Sequence, residues 1–459
     1  MSFAMAIDES QEYRVALALP GSRKVLAVRT SDGLCLPRVC VSFTDRPGEA
    51  LQTTILSQWG IPVYIVDYLQ SAGCPGTHLC VVGEALVSDI KSGLIQVDAS
   101  QLADGQMTEA ELGELQSRLE ETGEGASSVT RFGWLDEAYS WAENAIGREL
   151  AGKNTITQYN MGGGFVLLRL QSVDGFYYWI KATSGPNEHE YRVTKLIAEF
   201  ASEAAPHIVA SRDDWNAWLM DDASRGAEIA DHSIGMMPSP HIAATALAKL
   251  QVASQARLHD LLKAGAFDQR PAMSETISRE LFDYLYECMA LQISQKVAPL
   301  DRGALERTRH VYLSVCDQLS ELETPFVLLH GDLTGGNVVC FGEQCRFLDW
   351  CEAYVGYPIS SLHHLKMFFE RKGVDDSQLA NMITHYCGEW KKWSGRQFPQ
   401  EAFRLAPLMA AASTLYGRGD WLHNQEQRER PARRSYSRTL ARHMARAAHA
   451  ARQGNVLCV

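Results

Sequence analysis

Runs of apolar residues with strand-like or helix-like spacing divide the chain into three stretches. Near the N-terminus, short apolar runs bounded by polar turns predict five strands, and two longer segments have helical spacing. We therefore expect a small α/β domain over residues 1–125, followed by a linker and a connecting helix over 126–150. The predicted strands are 24–29, 36–41, 63–68, 77–85 and 93–97, and the predicted helices are 47–59 and 108–121.

The second stretch, residues 151–225, again predicts strands. Strands 155–160 and 165–170 flank Met161-Gly162-Gly163-Gly164, and consecutive glycines let a backbone approach phosphate groups closely. A plain flexible turn is the alternative interpretation of these glycines. A third strand, 176–181, ends at Lys181, from which an ammonium group can reach the phosphates of a nucleotide.

The third stretch, residues 226–459, has mainly helical spacing. His363 and His364 have no metal-ligating neighbours in sequence and are assigned to an ordinary helix. In the final helix, apolar residues share one face, so its many arginines are expected to face solvent, with contact to an anionic partner as the alternative. The other predicted helices are 245–263, 275–297 and 304–322, and the apolar face is Leu440, Met444 and Ala448.

The most specific chemical pattern lies between His330 and Asp349. A buried apolar run, 325–329, leads into His330-Gly331-Asp332, and Asn337 follows in the same glycine-rich loop. Residues 338–340 and 345–348 predict the two strands of a short β-hairpin. Asn337 and Asp349 then stand side by side at the open end of the hairpin, where their oxygen atoms can hold one cation.

Asp332, Asn337 and Asp349 in this order suit ATP-dependent phosphoryl transfer. That chemistry needs a carboxylate beside the acceptor hydroxyl, and oxygen ligands that hold Mg²⁺ against the phosphates. Each residue alone would more often cap a turn or end a strand, but the conjunction favours a site. His330 is expected to orient the loop through hydrogen bonds, because Asp332 suits the role of base better.

This segment resembles the catalytic segment of the aminoglycoside phosphotransferase and choline kinase-like family, relatives of protein kinases that phosphorylate small molecules. The resemblance covers about residues 150–440. It implies an α+β, bilobal protein-kinase-like fold, with a β-rich N-lobe, a helical C-lobe and ATP in the cleft. It also implies that Asp332 is the catalytic base and that Asn337 and Asp349 bind Mg²⁺. Trp350 follows Asp349 where protein kinases have Phe-Gly.

The same resemblance assigns residues upstream. Lys181 is expected to contact the nucleotide phosphates and to pair with Glu190, in a helix that opens at Pro186. Glu188 is the alternative partner. If neither glutamate belongs to a site, both form an exposed acidic first turn, which interacts favourably with the helix dipole.

Two further nucleotide contacts follow from the resemblance. Gly162 and Gly163 would lie in the glycine-rich loop against the nucleotide. The strand 215–222, which contains Met220, resembles the hinge whose backbone groups bind the adenine edge.

The N-terminal strand and helix order resembles a Nudix-type α/β domain. The hydrolase signature of that family would place metal-binding carboxylates on the helix before Gly60. This chain instead has Thr53, Thr54, Ser57 and Gln58 there. We therefore expect a non-catalytic domain for substrate access, dimer contact or sensing, and an unrelated small α/β domain is the alternative.

Composition narrows the class of protein. A chain of 459 residues with 46% hydrophobic residues can bury two or three cores. The net charge of −12 argues against a nucleic-acid partner, and no apolar run long enough for a membrane span is present. The N-terminus has no signal-peptide pattern, and the eleven scattered cysteines suit reduced thiols in a cytoplasmic protein.

The sequence thus predicts an ATP- and Mg²⁺-dependent phosphotransferase that acts on a hydroxyl of a small molecule. An aminoglycoside, amino alcohol, sugar or nucleoside would fit, and Glu352 is a candidate contact for a cationic acceptor or else a surface carboxylate. The alternative function is a kinase-fold, nucleotide-binding regulatory protein with weak or no catalysis. A protein kinase is disfavoured because no Ala-Pro-Glu segment follows Asp349. A homodimer is one option for its assembly, and GTP could replace ATP.

Overall fold

The computed structural model describes residues 10–42, 47–69, 79–88, 90, 93–120, 129–162, 164–223 and 238–452. Gly163 and residues 121–128, which include the start of the predicted linker, lie outside these residues. The chain forms two compact units, Met1–Tyr191 with Ile208–Asp222, and Arg192–His207 with Ala223–Val459. The first unit contains both the N-terminal stretch and the strands expected of an N-lobe. The division into four segments that the sequence predicts stays a prediction.

The first unit begins with a seven-stranded mixed sheet in the order β3-β2-β1-β6-β5, in which β4 also pairs with β1 and β7 with β2. Strands β1 and β6 are parallel, and the other pairs are antiparallel. The strands are β1 Ser10–Ala18, β2 Val25–Thr30, β3 Gly33–Cys35, β4 Arg38–Ser42, β5 Val63–Leu69, β6 Leu79–Ala85 and β7 Ile95–Val97, and the helices are α1 Pro47–Trp59 and α2 Glu109–Glu120.

The central strand β1 was not predicted from the sequence. The strand begins with three polar residues, and Arg14 then interrupts the apolar run 13–18, which obscures the strand pattern. Arg14 is buried and pairs with Glu111 of α2 through two bonds, of 2.6 and 3.1 Å. A buried arginine is tolerated here because a carboxylate matches its charge and its fork geometry.

A second sheet in the first unit is antiparallel, in the order β11-β12-β10-β9-β8. Strand β10 continues two residues past Lys181, and the following helix begins at His189 rather than at Pro186, because a turn closed by Asn187 and Ser184 comes first. Strand β11 was not predicted. The elements are α3 Trp134–Ile146, β8 Thr157–Asn160, β9 Phe165–Gln171, β10 Tyr177–Thr183, α4 His189–Phe200, β11 Ile208–Arg212 and β12 Ala217–Asp221.

The second unit is mainly helical. Its strands form a small sheet, β13-β17-β14, and a separate hairpin, β15-β16. The elements are α5 Pro240–Ser254, α6 Leu258–Ala264, β13 Phe267–Asp268, α7 Glu275–Ala290, α8 Arg302–Glu321, β14 Val327–His330, β15 Val338–Phe341, β16 Gln344–Phe347, β17 Ala353–Gly356, α9 Ile359–Arg371, α10 Asp376–Ser394, α11 Ala406–Tyr416, α12 Gln425–Glu429 and α13 Pro431–Arg452.

Two predicted helices of this unit need correction. The segment 245–263 is broken into α5 and α6 by a short 3₁₀ turn at Gln255–Arg257, and the segment 275–297 ends at Ala290. His363 and His364 lie in α9, and the predicted apolar face of α13 is buried, as expected. No helix among the described residues has the length and apolar character required to cross a bilayer.

The described residues have the expected α+β class, with sheets in the N-terminal part of the chain and helices in the C-terminal part. The bilobal, protein-kinase-like arrangement stays a prediction. The likeness of the N-terminal residues to Nudix domains is not confirmed.

Candidate active site

His330 connects the two segments that carry the candidate catalytic residues. It ends β14 and is 1% exposed. Its Nε2 donates to the Leu348 carbonyl at 2.9 Å, and its Nδ1 accepts from the Asp332 backbone N–H at 3.2 Å. Because a neutral imidazole donates from one nitrogen and accepts at the other, these two bonds fix its tautomer. The ring therefore orients the loop, as the sequence suggested.

Asp332 and Asn337 are in direct contact. The Asn337 Nδ2 donates to the Asp332 carbonyl at 2.9 Å and to its Oδ2 at 3.1 Å. The Asn337 carbonyl accepts from the Leu348 N–H at 2.9 Å, which closes the open end of the β15–β16 hairpin. With Nδ2 on Asp332, the amide oxygen Oδ1 is the Asn337 side-chain atom with the chemistry to bind a cation.

Asp349 directly follows Leu348 with φ +65°, in the left-handed region that a non-glycine residue seldom adopts. Such strain persists only where neighbours fix the backbone, and it is concentrated at functional sites. The buried Trp350 supplies part of that constraint. Its Nε1 donates to the Phe347 carbonyl at 3.0 Å, and its ring lies 4.5 Å from the His330 ring.

The protonation of Asp332 depends on its surroundings. Asp332 is exposed to solvent, yet partial desolvation of the carboxyl raises its pKa above the ordinary aspartate value, and the Asp349 charge raises the pKa further. The Asn337 hydrogen bond acts in the opposite direction. A raised pKa makes Asp332 a better proton acceptor than an ordinary aspartate.

A polar cluster lies against the backbone of this loop. The Gly331 N–H donates to the Glu352 carbonyl at 2.8 Å, and Tyr354 donates its hydroxyl to the Glu352 carboxylate. Arg418 lies 3.4 Å from the same carboxylate. Burial raises the pKa of Glu352, Arg418 lowers it, and the charges of Asp332 and Asp349 raise it. The Glu352 charge is therefore partly matched within the protein.

In the first unit, Lys181 and Glu190 form a buried ion pair. Their Nζ and Oε1 atoms are 2.6 Å apart, and the two residues are 5% and 1% exposed. The Lys181 ammonium also lies 5.1 Å from the centre of the Phe165 ring, at the start of β9. Glu188 is exposed. The structure thus brings together Lys181 and Glu190, the preferred pair.

Gly162 and Met220 lie in the same unit. Gly162 has φ +95°, and a Cβ there would lie 2.9 Å from the Asp67 Oδ1, so both conformation and space require glycine. Met220 is half-buried in β12, opposite Trp179 of β10. Gly163 lies outside the described residues.

The donor set suits a hard divalent cation. Asp349 offers carboxylate oxygens and Asn337 an amide oxygen, and Mg²⁺ prefers oxygen ligands, often only one or two of them carboxylates. The residues present therefore fit the expected metal ion.

Sequence reasoning missed Tyr354 and Arg418. Arg418 is 66 positions from Glu352 in the chain, so no local motif links them. Glu352 ends a short 3₁₀ turn and Tyr354 lies on the following strand β17, and only the three-dimensional structure shows that the Tyr354 hydroxyl meets the Glu352 carboxylate.

Comparison with known proteins finds a family match within the second unit. Residues 227–396 match the phosphotransferase enzyme family. The matched segment contains Asp332, Asn337 and Asp349, and it excludes Lys181 and Glu190. The resemblance to aminoglycoside phosphotransferases is thus confirmed for this part of the chain. No curated protein sequence matches the chain significantly.

Structural comparison finds macrolide 2'-phosphotransferase MphH from Brachybacterium faecium, at 18% identity and a TM-score of 0.45, covering 67% of this chain and 97% of that one. It also finds a Plasmodium vivax ethanolamine kinase, at 13% identity and a TM-score of 0.37, covering 76% and 95%. An aminoglycoside phosphotransferase from Alicyclobacillus acidocaldarius has 12% identity and a TM-score of 0.37, with coverage of 65% and 91%.

Proposed function

We propose that this protein is an ATP- and Mg²⁺-dependent phosphotransferase that phosphorylates a hydroxyl group of a small molecule. The observation that carries the proposal is the bonded pair Asp332–Asn337 beside the strained Asp349, within the segment that matches a phosphotransferase family. A carboxylate with a raised pKa and a pair of oxygen donors are what this reaction requires.

In the proposed reaction, Asp332 accepts the proton of the acceptor hydroxyl. The hydroxyl oxygen forms a bond to the γ-phosphorus of ATP, and the bond from that phosphorus to the bridging oxygen breaks, releasing ADP. Asn337 and Asp349 would hold Mg²⁺, which when bound neutralises charge on the phosphates. Lys181, held by Glu190, would contact the phosphates as a positive charge.

The acceptor is proposed to be small and hydroxylated, of aminoglycoside, amino-alcohol, sugar or nucleoside type. Glu352 is our carboxylate candidate for an acceptor amine, and Arg418 already matches part of its charge. We therefore expect a weaker electrostatic preference for cations than an isolated carboxylate would give. The acidic net charge supports a small-molecule partner rather than a nucleic acid, and the cysteine content supports a cytoplasmic location.

An ATP-consumption screen over these four acceptor classes tests the function. Wild-type protein with Mg²⁺ should consume ATP in the presence of at least one class, and Asp332→Asn should consume it far more slowly. Nucleotide binding without turnover by any acceptor would instead support the regulatory alternative. If ATP with Mg²⁺ neither binds nor is consumed, the kinase function is wrong.

A further inference from the structure

Gln158 of β8 joins the two sheets of the first unit. Its side chain is 0% exposed, and its amide makes both bonds to one residue of the N-terminal sheet. The Gln158 Nε2 donates to the Ile65 carbonyl at 2.8 Å, and the Ile65 N–H donates to the Gln158 Oε1 at 2.9 Å. Ile65 lies on β5, the end strand of the path β3-β2-β1-β6-β5. The amide therefore takes the place of a neighbouring strand at this edge.

Helix α1 contacts the same point of β8. Its Gln52 accepts from the Gln158 backbone N–H at 2.8 Å and donates to the Val63 carbonyl at 2.8 Å. A Cβ on Gly48 would lie 2.8 Å from the Gln158 carbonyl oxygen, so the start of α1 touches the strand backbone itself. Close approach of this kind requires glycine.

The contact continues along the chain to the glycine-rich turn. Met161 is buried in the apolar core of the N-terminal sheet and α1. Gly162 is placed so closely against Asp67 that a Cβ there would lie 2.9 Å from its Oδ1. Asp67 is itself held by Arg118 of α2 at 3.1 Å. Contacts of Gln158, Met161 and Gly162 therefore join this segment to the N-terminal residues.

We propose that the N-terminal sheet and α1 position the glycine-rich turn, and that Gln158 is the positioning residue through which they set nucleotide affinity. The proposal rests on the proposed function, because it takes the turn at Gly162 as a nucleotide contact. Gln158 does not itself touch the nucleotide. It fixes the strand that leads to Gly162, so Gly162 is held in place before the nucleotide arrives and loses less conformational freedom on binding.

A buried glutamine at this point is informative because an apolar side chain could fill the same space. Leucine would pack, but it would leave the Ile65 N–H and carbonyl without their partners. Gln158→Leu is therefore the test variant. The matched control is Gln251→Leu in the second unit. Gln251 is likewise 0% exposed and makes two side-chain hydrogen bonds, to Tyr386 and Pro358.

Two measurements on the 459-residue chain test the positioning role of Gln158 separately from the proposed ATP-dependent function. Hydrogen–deuterium exchange, without any nucleotide, reports on the contact of Gln158 with Ile65. Calorimetric titration with ATP and Mg²⁺, without any acceptor, reports on nucleotide affinity. In Gln158→Leu, the amides of Ile65 and of residues 157–162 should exchange faster. The Kd for ATP should rise about tenfold, because ATP binding must then also order this segment. Gln251→Leu should change neither.

Unchanged exchange at Ile65 and β8 in Gln158→Leu would contradict the proposal that Gln158 holds β8 in place. Faster exchange with an unchanged Kd would overturn the coupling to nucleotide affinity. If wild-type protein shows no ATP binding while the exchange difference is present, the proposed function fails and the positioning of the turn stands. An equal rise in Kd in both variants would mean general destabilisation, which also contradicts the specific role of Gln158.

Discussion

At the scale of single residues, Asp332 carries the proposed chemistry. Replacing it with asparagine keeps the size and removes the proton acceptor, and we expect kcat to fall by about 10²–10⁴-fold. Only the deprotonated carboxylate accepts a proton, so activity should fall as pH drops through its pKa. Because partial desolvation and the Asp349 charge raise that pKa, the acidic limb of kcat/KM should lie above the ordinary aspartate range.

Steady-state kinetics with an acceptor found by the screen provide this measurement. ATP affinity of Asp332→Asn by calorimetry is the control and should stay near the wild-type value. A variant that keeps most of its kcat would exclude Asp332 as the base.

Gly331 is a second residue whose identity is dictated by its neighbours. A Cβ there would lie 2.4 Å from the Tyr354 ring and 2.9 Å from the Glu352 carbonyl oxygen. Gly331→Ala should therefore displace the loop, destabilise the fold by about 1–3 kcal/mol and reduce kcat. Urea denaturation and kinetics measure the two effects. Gly336→Ala is the matched control, since nothing lies within 4 Å of its Cβ position. Equal effects of both substitutions would contradict the steric argument.

At the scale of elements, the Lys181–Glu190 pair joins strand β10 to helix α4. Glu190→Gln should cost about 3–5 kcal/mol, because it removes the Glu190 carboxylate that balances the charge of a buried ammonium. ATP affinity should fall as well, since the ammonium is no longer held in place. Denaturation and calorimetry test both effects. The exposed Glu188 supplies the control, and Glu188→Gln should behave like wild type. If Glu188→Gln lost stability and ATP affinity while Glu190→Gln behaved like wild type, Glu188 would be the partner of Lys181.

Local pattern was sufficient for some elements. Helix α1 has the predicted bounds, and the hairpin β15–β16 holds Asn337 and Asp349 at its open end, because a turn between two apolar runs specifies both its strands and its register. These features depend on neighbours in sequence. The spacing of Asp332, Asn337 and Asp349 predicted a candidate site for the same reason.

Other features depend on partners far away in the chain. Strand β1 was missed because Arg14 finds its carboxylate on α2, nearly a hundred positions later. The left-handed backbone at Asp349 and the contact of Arg418 with Glu352 likewise result from tertiary packing. Gln158 carries no motif at all, since its role arises from the strand edge it meets. The roles of such residues cannot be predicted from the spacing of residues in the sequence.

At the scale of the whole molecule, the two units contain separate apolar clusters. One cluster lies in the helical second unit, and two lie in the sheets of the first. A chain with separate cores need not unfold in one step, so stability is best followed with probes for each unit. Buried titratable groups then give each unit its own dependence on pH.

His363 and His364 predict such a dependence for the second unit. Burial lowers the pKa of His363 to about 3 and that of His364 to about 4, from an ordinary value of 6.5. The folded protein thus keeps both rings neutral, while the unfolded chain takes up protons below pH 6.5. Their contribution to stability is fully present above pH 6.5 and is lost as pH falls through 6.5 toward 4.

The slope for each site is at most about 1.4 kcal/mol per pH unit, and partial solvent access reduces it. Urea unfolding of the second unit at pH 7.5 and 5.0 should therefore show a lower free energy of unfolding at pH 5.0. The double variant His363→Gln, His364→Gln should show a smaller difference, because its side chains do not titrate in this window. Most carboxyl groups titrate below this range, which leaves the histidines as the main source of the slope. An unchanged pH dependence in the double variant would exclude these two residues as the cause.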